Sequence, residues 1–240
     1  MVGESRIDAR VGGMQLTHAF LAINGAMVDL GTLGSFGGGD YSTAQAINNA
    51  GEVVGSTTVN GYAGSRAFKT VNGTMIDLGT LGGIYSHANA INDAGVVVGY
   101  SAITGDTADH SMKFVNGVMT DLGTLGGIHS FAYDINKLDV IVGFSYAADN
   151  NIARAFVYTD TSMIDLNTLV PDLGGWELSV AQGINDSGQI VGYGMLGGQS
   201  HAFLLTPSSE PVPEPSTLLL LGVGLTGIAL LKKNFRICGK

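Results

Sequence analysis

Over residues 1–207 the apolar positions fall in short runs punctuated by Gly, Asn and Asp, the pattern of many short strands joined by tight turns. The runs fall into sets of four. The first strand of a set, such as Ser86 to Asn92, leads into Asn92-Asp93-Ala94-Gly95, a turn that wants glycine in the left-handed position. The second contains Val96-Val97-Val98-Gly99, where glycine permits close approach of another backbone. The third is typified by Arg66-Ala67-Phe68. It connects to the fourth, Met75 to Leu78, through Asn72-Gly73, a two-residue hairpin signal repeated at Asn24-Gly25 and Asn116-Gly117.

These sets are internal repeats. Asp29-Leu30-Gly31-Thr32-Leu33 returns at Asp77, at Asp121 and, as Asp165-Leu166-Asn167-Thr168-Leu169, once more. Ile47-Asn48 returns as Ile91-Asn92, Ile135-Asn136 and Ile184-Asn185. Each Ile lies 30 residues before the next repeated Asp, whereas the Asp-to-Ile gaps are 18, 14, 14 and 19, so insertions fall between units. Two departures stand out. Asp139 replaces the turn glycine, and Asp160-Thr161-Ser162 replaces Asn-Gly, which predicts a longer or less regular turn there.

Four antiparallel strands per unit predict an all-β, propeller-like fold of about five blade equivalents, two of them incomplete. The alternatives are a β-sandwich or an open β-repeat array. The N-terminal piece lacks a first strand and the C-terminal piece, ending at Phe203-Leu204-Leu205, lacks a fourth. Either the ends pair to seal a ring or the chain is part of a longer protein. Val2-Gly3 aligns with Val54-Gly55, and Met1 to Ser5 has no charged or apolar leader, which favours the second reading.

After Pro207 the pattern changes. Residues 208–216 form a Pro-rich linker that excludes helix and ladder pairing. Residues 217–231 carry no charge, and as a helix they would extend about 22 Å. That is short of a hydrocarbon core of roughly 30 Å, so thinning or snorkelling must supply the rest. Lys232, Lys233 and Arg236 follow, which by the positive-inside rule puts residues 232–240 in the cytoplasm and the repeats outside. A buried core helix is the competing reading, disfavoured by apolarity on every face. Gly222, Gly224 and Gly227 spell a dinucleotide fingerprint, but no strand precedes them and no βαβ unit can follow.

Charge sharpens this division. Residues 1–207 hold seven Lys or Arg against eighteen Asp or Glu, a balance of −11, while the remainder is +2. An acidic body argues against nucleic acid as a partner. Cys238 is the only cysteine, so the fold has no intramolecular disulfide.

Val212-Pro213-Glu214-Pro215-Ser216, the apolar span and the basic end together resemble the PEP-CTERM protein-sorting signal of Gram-negative bacteria. The resemblance implies an exosortase as partner, the inner membrane before processing, cleavage near Pro213, Glu214 and Pro215, and transfer to the envelope or exopolysaccharide. His18-Ala19-Phe20, Arg66-Ala67-Phe68, Arg154-Ala155-Phe156 and His201-Ala202-Phe203 make the repeats similar to the HAF family of extracellular repeats. His110-Ser111-Met112 keeps only the histidine. The family name implies a location and no activity.

No metalloprotease, P-loop, hydrolase-elbow or EF-hand motif occurs. The expectation is a non-enzymatic chain with no catalytic residue, cofactor or metal. Asp29, Asp77, Asp121 and Asp165 recur once per unit and are expected to hold the following turn rather than to ring a metal. The alternating His18, Arg66, His110, Arg154 and His201 are expected to tether neighbouring units. Tyr41, Tyr85 and His129 precede equivalent serines, and Trp176 lies near the corresponding place before Ser179. Gathered on one face with Asp40, Asp172 and Glu177, they would stack on sugars, or else cap gaps between units. The rival reading is a secreted propeller enzyme acting on glycans, which needs a carboxylate pair set apart from the repeat pattern among Asp106, Asp109, Asp149, Asp172 and Glu177.

Overall fold

A computed structural model describes residues 1–11, 14–34, 40–60, 64–148, 152–159, 161–208 and 235–237. It is all-β apart from a 3₁₀ turn at Leu166–Thr168. Five antiparallel sheets follow one another along the chain. The first comprises β1 (Val2–Val11), β2 (Met14–Ile23) and β3 (Ala26–Asp29). The second comprises β4 (Ser42–Ile47), β5 (Val53–Thr58), β6 (Ser65–Val71) and β7 (Thr74–Asp77). The third comprises β8 (Gly82–Ile91), β9 (Val97–Ile103), β10 (Asp109–Val115) and β11 (Val118–Asp121). The fourth comprises β12 (Gly126–Ile135), β13 (Ile141–Ala147), β14 (Ala153–Thr159) and β15 (Ser162–Asp165). The fifth comprises β16 (Trp176–Ile184), β17 (Ile190–Leu196), β18 (Gln199–Pro207) and β19 (Phe235–Ile237).

Strand order within each sheet follows chain order, so each four-residue turn and each Asn-Gly hairpin lies where the turn chemistry predicts. Gly51, Gly95 and Gly188 take φ of 79°, 77° and 78°, and Asp139 takes the same left-handed conformation at 60°. Asp139 also uses its carboxylate, accepting from Asn92 Nδ2 at 2.7 Å and pairing with Lys113 at 3.1 Å. The strand-two glycines Gly55, Gly99, Gly143 and Gly192 are required sterically. A Cβ at these positions would lie 1.8–2.0 Å from the carbonyl oxygens of Thr43, His87, Phe131 and Val180.

Each sheet packs on the next, and the core is divided into four clusters, one per junction. Val54 and Ala67 of the second sheet meet Ala88, Val97 and Met112 of the third. Val98 of the third meets Ala132, Ile141 and Phe156 of the fourth. Adjacent valines of strand two thus serve opposite junctions, as side-chain alternation requires. The sheets remain open. Among the described residues no strand of the first sheet packs substantially on the fifth, so a sealed ring is not seen.

Two expectations are corrected. Thr159 pairs with Ser162 as Val115 pairs with Val118, so the hairpin at Thr161 has the same length as its Asn-Gly counterparts. The fifth sheet has a fourth strand after all, contributed from beyond the apolar span. Leu205, Thr206 and Pro207 of β18 pair with Ile237, Arg236 and Phe235 of β19. Phe235 is buried in the last junction's core, and its N–H donates to Leu169 O at 3.2 Å. In this arrangement Arg236 lies on the repeat body. The span at 217–231 is outside the described residues, among which no helix is long and apolar enough to cross a membrane.

Candidate functional site

The repeated polar residues are used between or within units, and their geometry leaves little for a ligand. Asp29, Asp77 and Asp121 each accept the N–H two residues on, from Gly31, Gly79 and Gly123, at 2.7, 2.8 and 2.7 Å. Asp165 does the same with Asn167 at 2.8 Å. For Asp29, burial pushes the carboxyl upward, but the Gly31 N–H and His18 outweigh it and hold the group below the ordinary carboxylate range. His18 Nδ1 sits 2.9 Å from Asp29, and His110 Nδ1 2.8 Å from Asp121. These pairs join adjacent strands of one sheet, β2 with β3 and β10 with β11, so they tether within the unit and not between units as expected.

The tethers between units are Ser and Asn. Ser42, Ser86 and Ser130 donate to Gly31, Gly79 and Gly123 O at 2.5, 2.5 and 2.6 Å. They accept from Ala19, Ala67 and Ser111 N–H at 2.9, 2.9 and 2.8 Å. At the last junction Leu178 occupies the serine's place, and Asn167 of the fourth unit takes over. Its amide accepts from Leu178 N–H at 2.7 Å and donates to Leu178 O at 3.0 Å. At the opposite end of the strands, Asn48, Asn92 and Asn136 donate through Nδ2 to the carbonyls of Asn92, Asn136 and Asn185 at 3.2, 3.1 and 3.2 Å. Each Oδ1 meanwhile accepts two N–H groups of its own turn, as with Ala94 and Val96 at 3.1 Å each for Asn92. Sequence reading identified these asparagines as turn residues and missed the ladder, which appears only when units are stacked.

What does not repeat is aromatic. His87 and Tyr100 stack at 4.9 Å, Tyr100 meets Phe131 edge-on at 4.9 Å, and Phe131 stacks on Phe144 at 5.0 Å. Tyr85, His129, Tyr133 and Tyr146 border this row. All eight are half-buried, and they form one belt across the inner strands of the third and fourth sheets. At the position of His87 the other units carry Thr43, Phe131 and Val180, and at that of Tyr100 they carry Ser56, Phe144 and Tyr193. The signal available in the sequence was this variability at a fixed offset within the repeat.

Asp109 lies at the belt's edge. The Tyr85 hydroxyl donates to its carboxylate, and its N–H donates to His129 Nδ1 at 3.0 Å. The same Nδ1 is 3.4 Å from Asp109 Oδ2, formally an ion pair. In the shorter contact Nδ1 is the acceptor. Burial, with the Asp109 hydrogen bond and charge added, raises the Tyr85 phenol strongly. Tyr100 is raised by burial and then by Asp109, Tyr133 and Tyr41. His87 is held below its ordinary 6.5 by burial, against a smaller opposing pull from Asp109, and its Nε2 lies 2.9 Å from Ser65 Oγ.

Of the four residues expected to share a ligand face, Tyr85 and His129 meet through Asp109. Tyr41 stands exposed beside the second sheet, close enough to act on Tyr100. Trp176 is elsewhere: it pairs with Leu196 as Gly82 pairs with Ile103, and it packs on His201 at 6.0 Å and Phe203 at 6.5 Å within its own sheet. Asp172 caps its own turn, accepting from Gly174 N–H at 2.9 Å. Asp106 accepts from Ile84 N–H at 2.8 Å. Among the described residues no cluster of three His, Cys, Asp or Glu is placed to hold a metal. Asp149 lies outside them, as do Pro213, Glu214, Pro215, Lys232 and Lys233.

Residues 211–233 match the PEP-CTERM protein-sorting motif. No characterised protein matches the chain significantly. The motif marks the chain for export and for recognition by an exosortase-type enzyme, with membrane-anchored processing toward the cell envelope.

Proposed function

We propose that this is a non-enzymatic envelope or matrix protein whose repeat body, an open propeller-like array similar to HAF repeats, binds glycan through the aromatic belt. The observation that carries the reading is the unbroken row His87, Tyr100, Phe131 and Phe144 flanked by Asp109, on a body whose net charge disfavours nucleic acid and anionic lipid. Sugar rings present C–H faces to aromatic rings and hydroxyls to acids, and a half-exposed belt offers both. Asp106 and Asp109 both act on Tyr85, but each carboxylate already accepts a protein donor, so neither stands as the free acid or base that glycan hydrolysis would need.

Before processing, the span 217–231 is held in the inner membrane with Lys232, Lys233 and Arg236 on the cytoplasmic side. That state and the pairing of β19 with β18 exclude one another, so membrane insertion strips β19 from the fifth sheet. Retention of the protein on isolated exopolysaccharide tests the ligand reading. Tyr100→Ala and Phe144→Ala are expected to reduce retention at least tenfold, and Tyr85→Ala less. Trp176→Ala, outside the belt, is expected to leave it unchanged. Full retention by the Tyr100 and Phe144 variants would sink the proposal.

A further inference from the structure

Asp109 stands outside the repeat pattern. It lies two residues before Ser111, which pairs with Tyr100, and the same register puts Ser65, Ala153 and Ser200 in its place in the second, fourth and fifth sheets. Its side chain is 17% exposed, so its charge is screened less than that of a surface acid. Rings surround it. Tyr85 donates its hydroxyl proton to the carboxylate, His129 Nδ1 stands 3.4 Å from Oδ2, and Tyr100 lies within reach of the charge. With its proton engaged by Asp109, the Tyr85 oxygen joins the carboxylate in offering lone pairs and no donor. Asp106, exposed and also acting on Tyr85, adds a second negative charge at this end of the belt.

Positive charge is kept elsewhere. Lys69, Lys113 and Lys137 pair with Glu52, Asp139 and Asp186 at the turn end of the strands, at 2.8, 3.1 and 3.6 Å. Arg154 lies opposite Ser145 in register, so it points to the other face of the fourth sheet from Phe144 and Tyr146. Arg66 alternates with Ser65, whose Oγ meets His87, and so points away from that ring. These are all the Lys and Arg between Asp40 and Trp176. Burial holds His87 below its ordinary pKa, so near neutral pH it adds no charge.

We propose that the belt's ligand is a glycan bearing free amino groups, a chain of hexosamine, with one ammonium held between Asp109 and the rings of Tyr85 and Tyr100. This rests on the glycan reading above and narrows it. A cation gains from an aromatic face and from a half-buried carboxylate together, and an ammonium brings three donors to an edge that offers acceptors. Neutral sugars stack on the same rings but leave the charge of Asp109 without a counterpart. Uronate, sulfate or phosphate groups would meet a like charge, with no Lys or Arg of the belt to receive them.

The experiment measures the affinity of the full chain in detergent for glucosamine, N-acetylglucosamine and glucuronate oligomers of equal length, at a pH where the glucosamine amines are charged. The glucosamine oligomer is expected to bind about tenfold tighter than the N-acetylated one, and the glucuronate oligomer not to bind. Asp109→Asn is expected to bring the first two affinities together, while Asp172→Asn, which removes an equal charge outside the belt, keeps them apart. Circular dichroism checks folding; if Asp109→Asn unfolds, Asp109→Ser, which places there the residue type of the second and fifth sheets, replaces it. Equal or tighter binding of the N-acetylated oligomer overturns the proposal and leaves the glycan reading standing, as does binding of glucuronate. A preference that the Asp109 variant leaves intact overturns it too, and marks a general attraction of a polycation to the acidic body. Binding of none of the three overturns this proposal and the glycan reading together.

Discussion

The turn ends of the strands and their inner faces obey different rules. At the four-residue turns, Asn48, Asn92 and Asn136 make the same three kinds of hydrogen bond, and the residues are identical from unit to unit. Along the inner strands, one equivalent position holds Thr43, His87, Phe131 and Val180, and only the third and fourth sheets stack an aromatic pair there. Identity marks residues that hold units together, because every junction poses the same problem. Divergence marks residues released from it, and in the third and fourth sheets those are the aromatic belt.

If the turn end is the fastening, removing one rung should cost most in the middle of the ladder. Asn92→Ala strands the N–H groups of Ala94 and Val96 and the carbonyl of Asn136, and should lower unfolding free energy by about 3 kcal/mol. Asn185→Ala, at the last turn, whose Nδ2 bonds only its own Gln189, should cost about 1 kcal/mol. Equal losses in urea titrations would mean the ladder carries no coupling. Ser86→Ala removes the donor to Gly79 O and the acceptor for Ala67 N–H, and should cost about 2 kcal/mol by the same measure.

The belt should answer to pH where the ladder does not. Burial depresses the His87 pKa from 6.5, so the unfolded chain binds the proton more readily than the folded one. Stability therefore rises with pH through the window just below 6.5 and is lost as pH falls through it. Melting temperatures measured across that window should show the slope in the wild type and a shallower one in His87→Phe. An effect as small as that of Asn185→Ala, about 1 kcal/mol, is expected for Tyr100→Ala, whose half-buried ring stacks on His87 and meets Phe131 edge-on. A loss as large as that of Asn92→Ala would make the belt structural and remove the contrast.

Much of this was legible beforehand. Repeat boundaries, four strands per unit, the Asn-Gly hairpins and the left-handed turn residues follow from local chemistry, and the strand-two glycines were correctly read as places of close backbone approach. The repeated Asp was also local, since its partner lies two residues on. Reasoning failed where a partner belongs to another unit or another strand. The His and Asp of one unit are eleven residues apart and adjacent only through strand pairing, which is why the tether was assigned to the wrong junction. Trp176 was placed near the position of Tyr85 by its distance from Ser179, but Leu178 takes the serine's place in register, and Trp176 pairs with Leu196 as Gly82 pairs with Ile103.

By itself the sequence determined the all-β character, the unit length and the sorting motif, because turn propensity, strand alternation and a contiguous signal are properties of neighbouring residues. Tertiary structure alone decided which surfaces meet: the asparagine ladder, the serine bridges, the aromatic belt and the return of Phe235 to β18. Each of these depends on distances between residues about 20 to 50 positions apart, set by how sheets stack rather than by what any one strand prefers.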